Sequence, residues 1–286
     1  MNPNKKVAAI HDLSGIGRCS LTVILPILSV MGVQCCPVPT AILSSHTGGF
    51  GDVVLRDLTD YIIPALDHYK RLGEGFNCIY SGFLASTGQI DHCLEFFKNY
   101  PDSLKVVDPV MGDHGKSYKT CTPELCSRMI ELVGIADVIT PNLTEASILL
   151  GEKYPMSPMT SSQVKSWLVR LSEKGPNIIV MTSITLANGE NANIGYDKNN
   201  NSFWKIHCDY VPVSYPGSGD IFSSVLVGGL LKGDSLPIAM NRATSFAELA
   251  IKTTFSYTTQ PRNGIMIESC LGLLSQNQTF RDYENL

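Results

Sequence analysis

Val106-Val107-Asp108-Pro109 decides how the rest of the chain is read: a short β-branched run that stops at a carboxylate and a proline. Such a run reads as a strand, and the proline ends it because its ring fixes φ and removes a backbone donor. The same construction returns in Val138-Ile139-Thr140-Pro141-Asn142, and Val180-Met181-Thr182-Ser183 likewise stops at small polar residues. Working outward, apolar runs occupy residues 7–10, 33–43, 77–80, 104–108, 137–140 and 178–182, separated by longer amphipathic stretches. That alternation predicts βαβ crossovers and a mostly parallel central sheet with helices on both faces. Residues 192–196 and 202–208 flank the polar turn Asp197-Lys198-Asn199-Asn200-Asn201 and predict an antiparallel hairpin, leaving the sheet mixed at one edge. Two helices, from about 220 to 231 and from about 237 to 255, close the pattern.

At 286 residues the chain can bury a substantial core, and without an internal period or low-complexity tract it reads as a single domain spanning 1–286. Its 22 basic and 26 acidic side chains leave a net charge of −4, with no Lys/Arg run to track a phosphate backbone, so nucleic acid is excluded as a partner. The N-terminal apolar run is four residues long, too short for a signal-peptide core or a membrane span, which predicts a cytoplasmic protein with no membrane partner. Nine cysteines include no CxxC pair and no histidine at finger spacing. Structural zinc and a disulfide framework are therefore not expected, and the thiols are expected to pack as small hydrophobes.

Polar residues at the carboxyl ends of parallel strands converge on the crevice where open α/β sheets bind ligands. One further motif faces that crevice: Gly217-Ser218-Gly219-Asp220, followed by the apolar run from Ile221 to Leu230 that predicts a buried helix. Two glycines let the backbone turn tightly, and the free N–H groups and dipole of the first helical turn suit a phosphate. Asp220 beside them is placed to take a proton from an attacking hydroxyl. On these four residues alone a plain helix cap is the favoured reading. No Walker A loop follows, and Ser14-Gly15-Ile16-Gly17 holds only two glycines of a dinucleotide fingerprint, so a nucleotide must be held in another way.

Taken in order, Ile10-His11-Asp12, Ser45-His46-Thr47, Ser81-Gly82-Phe83-Leu84, Asp108-Pro109-Val110-Met111-Gly112-Asp113, Thr140-Pro141-Asn142-Leu143-Thr144-Glu145-Ala146, Thr182-Ser183 and Gly217-Ser218-Gly219-Asp220 resemble the ribokinase-like superfamily. Within it they resemble the pyridoxal (vitamin B6) kinases, over roughly residues 7 to 255. The resemblance implies a three-layer sandwich and ATP-dependent phosphorylation of the 5′-hydroxymethyl group of pyridoxal, pyridoxamine or pyridoxine. It implies that Asp220 is the catalytic base and that Gly217, Ser218 and Gly219 meet the transferring phosphoryl group. Asp113 and Glu145 are implied to support Mg2+, with Asp108, Thr140 and Thr182 near a monovalent cation, K+ or Na+, and the phosphates. Asn142, Thr182 and Ser183 match nucleotide-contacting positions, Tyr118 matches another, and Val211 to Val213 line the adenine pocket. A homodimer is implied as well. Hard oxygen donors suit both cations, and Mg2+ is commonly shared between a few carboxylates and nucleotide phosphates.

For the acceptor, the resemblance points to Asp12, Thr47 and Phe83, beside Gly219 and Asp220. Asp12 stands where many members have Ser, and Phe83 where many have Tyr, so the choice among vitamers stays open. His46 reads as a loop histidine that orients Thr47, and His11 as a structural residue. The segment 112–119, turning at Gly115, is expected to act as a lid that keeps water from the phosphates. Rival readings are a hydroxymethylpyrimidine kinase, a sugar or nucleoside kinase of the same superfamily, and a non-catalytic vitamin or nucleotide binder.

Overall fold

The computed structural model describes residues 4–209, 211–275 and 284–286. Six parallel strands form the middle of its main sheet: β1 (Lys6–Ile16), β2 (Gln34–Ser45), β4 (Cys78–Ser81), β5 (Leu104–Val107), β8 (Val138–Ile139) and β9 (Ile178–Thr185). Each grows from one of the six apolar runs, and they lie in the spatial order β9-β8-β5-β4-β1-β2. Beyond β9 the sheet continues antiparallel through β10 (Asn191–Asp197), β11 (Ser202–His207) and β12 (Glu284–Asn285). At the opposite edge β3 (Leu55–Asp57) pairs antiparallel with β2, so the sheet is mixed at both edges rather than one. All three residues of β3 are exposed, which left no buried pattern for the sequence to display.

Side chains alternate across each parallel strand, as in β1, where Val7 and Ala9 enter one core while Ala8 and Ile10 enter the other. The first core is covered by α2 (Thr59–Arg71), α3 (Thr87–Asn99), α4 (Pro123–Val133), α5 (Leu143–Leu150) and α6 (Ser161–Ser172). The second is covered by α1 (Leu21–Val30), α7 (Ser218–Lys232) and α8 (Leu236–Ser256). Both faces of the sheet are thus dry, which is why its strands read as continuous apolar runs. The result is the expected three-layer sandwich.

β1 is flanked on one side by β2 and on the other by β4, both later in sequence, so the winding direction reverses there. The crevice created by that reversal opens at the carboxyl ends of the strands, above Asp12. Directly after β5, a small hairpin of β6 (Gly112–Asp113) and β7 (Lys116–Ser117) stands outside the main sheet. Its two turn residues, His114 and Gly115, have φ of 49° and 75°, the paired left-handed geometry of a tight hairpin turn.

Cys121 and Cys126 are joined by a disulfide across the start of α4, with Cα atoms 6.0 Å apart. Thr122 caps this helix through Leu125 N–H, and the first turn carries position 126 back over residue 121. The expectation for the thiols holds for the buried, free Cys19, Cys78, Cys93 and Cys270 and fails for this pair. No helix among the described residues is long and apolar enough to cross a membrane.

Candidate active site

The start of α7 is built against the start of α1. Gly217 has φ of 87°, and a Cβ there would lie 2.1 Å from the Arg18 carbonyl oxygen, so both the backbone angle and the close approach demand glycine. The helix is held by Ile221, Phe222, Val225 and Leu226, all buried in the second core. Ser20 N–H donates to Asp220 Oδ2 at 2.8 Å, while the space around Gly219 is open. Burial pushes the Asp220 carboxyl up to about 8; Asp108 and Asp12 push the same way and the Ser20 N–H opposes them.

One turn into α7, the Ser223 hydroxyl lies 3.2 Å from Asp108 Oδ2 and 2.9 Å from Thr140 Oγ1. It ties the ends of β5 and β8 to α7. Asp108 is buried and driven to about 7 by that burial, against hydrogen bonds from Ser223 and Thr140.

α5 opens with a reciprocal cap. Asn142 Oδ1 accepts Glu145 N–H at 3.0 Å, and Asn142 N–H donates to Glu145 Oε2 at 2.8 Å. Glu145 Oε1 accepts Met111 N–H at 3.2 Å, Asn142 Nδ2 donates to the Gly112 carbonyl at 2.8 Å, and Gly115 N–H donates to Thr144 Oγ1 at 2.8 Å. The segment expected to be a lid is therefore fastened at the head of α5 at two points, Gly112 and Gly115, with Met111 held just before it. Burial raises Glu145 well above the usual carboxylate range, with Asp108 and then Asp113 adding to it against the Asn142 and Met111 amides. Asp113 is half-exposed on the hairpin and accepts His114 N–H at 2.8 Å. The Tyr118 hydroxyl is raised by burial and by Asp113, Glu145, Asp220 and Asp108 in turn, although 43% of the residue is exposed.

Within β1, Asp12 is buried and Ser14 Oγ donates to its Oδ2 at 2.9 Å. Burial raises its carboxyl; hydrogen bonds from Ser20 and Ser14 and the nearby His46 oppose this. His46 Nδ1 accepts Gly48 N–H at 3.0 Å, which leaves Nε2 to carry the proton and donate to the Arg262 carbonyl at 2.7 Å. The ring is thereby held as a staple between two loops, and Thr47 beside it is exposed. Phe83 is half-buried just past β4, whose Ser81 pairs with Ile10 of β1, so it stands near the level of Asp12. His11 is fully buried against Tyr80, and burial lowers it to about 3, in keeping with a structural residue.

Asp12, Asp108, Asp113, Tyr118, Thr140, Glu145 and Asp220 are thus gathered in one crevice. Thr182 is bridged to Asn142. Ser183 has φ of 56°, and its N–H donates to Asn193 Oδ1 at 2.9 Å. Val211 and Val213 lie farther along the chain, partly buried, with Val213 N–H turned back to the Val211 carbonyl. Arg18 is engaged by Glu268 and the Asn263 carbonyl. Ser14, Ser20, Thr144 and Ser223 were missed by sequence reasoning. Helical or loop serines and threonines carry no distinguishing pattern, and only the fold shows which acid they meet.

The acids are hard oxygen donors that repel one another, which fits a hard cation. Among the described residues no three of them converge as a ready-made metal cage, so a bound Mg2+ would need oxygens from water or phosphate to complete its shell.

The sequence profile of the phosphomethylpyrimidine kinase family matches residues 25–264. A candidate phosphomethylpyrimidine kinase from Bacteroides thetaiotaomicron superposes with a TM-score of 0.95 at 44% identity, covering 100% of this chain and 99% of that one. The same protein has been solved in an orthorhombic form with pyridoxal. The pyridoxal kinase of Lactobacillus plantarum superposes with a TM-score of 0.86 at 27% identity, over 94% of this chain and 96% of that one. Pyridoxal kinase of Arabidopsis thaliana is 28% identical over 240 residues, covering 79% of this chain and 72% of its own length.

Proposed function

The chain belongs to the phosphomethylpyrimidine kinase family and is a phosphotransferase with an alcohol acceptor, and from that premise we propose that it moves the γ-phosphoryl group of ATP to the 5′-hydroxymethyl group of a vitamin B6 vitamer. The observation that carries this reading is Asp220: a half-buried carboxyl at the head of a long helix, raised to about 8 and steadied by one backbone N–H. A base with that proton affinity takes a hydroxyl proton during attack far better than an ordinary carboxylate does. The likeness to a protein solved with pyridoxal supports the choice of acceptor.

In this reading Gly217, Ser218 and Gly219 present the α7 N-terminus to the phosphoryl group as its charge develops. Asp113 and Glu145 would hold Mg2+ together with the phosphates, where it would supply neutralisation of phosphate charge. Asp108, Thr140 and Thr182 hold the monovalent cation. Asn142, Thr182, Ser183, Tyr118, Val211 and Val213 border the nucleotide, with Asn142 contributing by fastening the hairpin. Asp12, Thr47 and Phe83 hold the vitamin. The protein works in the cytoplasm as a homodimer.

The second reading, a hydroxymethylpyrimidine kinase, is favoured by the family profile itself. ADP release with pyridoxal, pyridoxamine, pyridoxine and hydroxymethylpyrimidine, each with ATP and Mg2+, separates the two. Vitamer-dependent release that falls about 10²- to 10⁴-fold in Asp220→Asn supports the proposal. Turnover of the pyrimidine alone overturns the acceptor, and tight vitamer binding without turnover overturns the enzyme reading.

A further inference from the structure

We propose that Asp12 makes the site selective for an acceptor bearing a protonated amine, so that pyridoxamine is preferred to its hydroxymethyl counterpart, pyridoxine. The inference rests on the B6-kinase reading above. Asp12 sits at the carboxyl end of β1, where the winding of the sheet reverses, and is buried with 4% of its surface exposed. Ser14 Oγ donates to it at 2.9 Å, Ser20 adds a second hydrogen bond, and it makes no ion pair among the described residues. No lysine or arginine is paired with it among the described residues. Ser14, Ser20 and Cys19 bring no positive charge, and His46, the one group whose charge would favour ionised Asp12, is engaged by Gly48 N–H and the Arg262 carbonyl. Arg18, a cation nearby in sequence, is turned to Glu268 and the Asn263 carbonyl. The other charged group that Asp12 meets is Asp220, a second enclosed carboxylate.

Burying a carboxylate beside another carboxylate without a countercharge is unfavourable unless a ligand brings the charge. A serine at this position would carry no such cost. An ammonium entering beside Asp12 offers three donors and a full charge, and its hydrogen bond to a carboxylate is of the charge-assisted kind. It also relieves the repulsion that disfavours ionised Asp220, the form in which a base must act. A hydroxymethyl group of the same size offers neither effect, so pyridoxine is the matched uncharged comparator.

The test compares kcat/KM for pyridoxamine and pyridoxine in wild type, Asp12→Asn and Asp12→Ser. A pyridoxamine preference of about tenfold or more, lost in both variants, is the expected result for a hydrogen bond to a charged group. A preference for pyridoxine in wild type, or a ratio unchanged in Asp12→Asn, overturns the proposal. If no vitamer is phosphorylated, the kinase reading fails separately. Calorimetric Kd values for the same two vitamers then decide: a tenfold preference lost in Asp12→Asn upholds the role of Asp12, and equal affinities in wild type overturn it.

Discussion

Ser20 N–H and Asp220 Oδ2 are 2.8 Å apart although 200 residues separate them in the chain. The hydrogen bond joins the heads of α1 and α7 and favours the ionised carboxyl, whereas burial, Asp108 and Asp12 favour the protonated one. The balance falls at about 8, above the ordinary value of 3.8. Ser20 itself has φ of 49°, so the amide that steadies the base comes from a strained turn.

A pH dependence follows. A general base works only when deprotonated, so kcat/KM for the vitamin rises with pH and levels off above about 8. After burial, Asp108 is the largest cause raising Asp220. Asp108→Asn is therefore expected to move the acid limb of the profile to lower pH, whatever it does to the maximal rate. A limb that stays in place in Asp108→Asn removes Asp220 as the group being titrated.

Gly217→Ala tests the turn. The new methyl meets the Arg18 carbonyl oxygen, and the left-handed φ of 87° adds strain. Together they are expected to cost about 1–3 kcal/mol of stability, read as a lower denaturation midpoint, with a loss of kcat as the head of α7 shifts. Gly219→Ala, at a position with open space around it, is expected to keep its stability. Equal stability of the two variants would contradict the close packing of the Gly217 turn on Arg18.

These contrasts show what could be read from residues alone. The runs around Val106-Val107 and Val138-Ile139 declared themselves because strands buried on both faces are uniformly apolar. The strand-end acids followed from the strands, since a parallel sheet brings its carboxyl ends together wherever they lie in sequence. Ser223 was invisible: it is one of several small residues on α7, and its meeting with Asp108 and Thr140 depends on how that helix crosses the sheet. The β6–β7 hairpin was read as a lid from Gly115, but its two fastenings at the head of α5 involve backbone groups that no side-chain pattern reports.

Those fastenings can be broken one at a time. Gly115→Pro removes the N–H that reaches Thr144 and requires φ near −65° where the chain has 75°. Thr144→Val removes the same hydrogen bond while leaving the backbone free. Both are expected to raise ATP hydrolysis relative to vitamin phosphorylation, because a loosened hairpin admits water to the phosphates. The proline variant should show the larger effect. If the hydrolysis-to-transfer ratio stays at the wild-type value in both, the hairpin does not exclude water.

His46 separates positioning from chemistry. Its two ring nitrogens are consumed by the Gly48 amide and the Arg262 carbonyl, and a Cβ on Gly17 would stand 2.1 Å from its Cδ2, so the ring is gripped on several sides. A ring so engaged has no free nitrogen with which to exchange a proton with substrate. His46→Ala releases the 46–50 and 260–264 loops from each other and frees Thr47, which is expected to raise KM for the vitamin about tenfold with kcat changed much less, the pattern of lost ground-state binding. His46→Gln, which retains one donor and one acceptor, should recover part of that loss. A catalytic histidine would behave otherwise: kcat would collapse, the pH profile would lose a limb, and glutamine would rescue nothing. Because the staple acts through loops, the acid limb set by Asp220 should be unmoved in both variants, and a shifted limb would show that the His46 ring takes part in proton transfer.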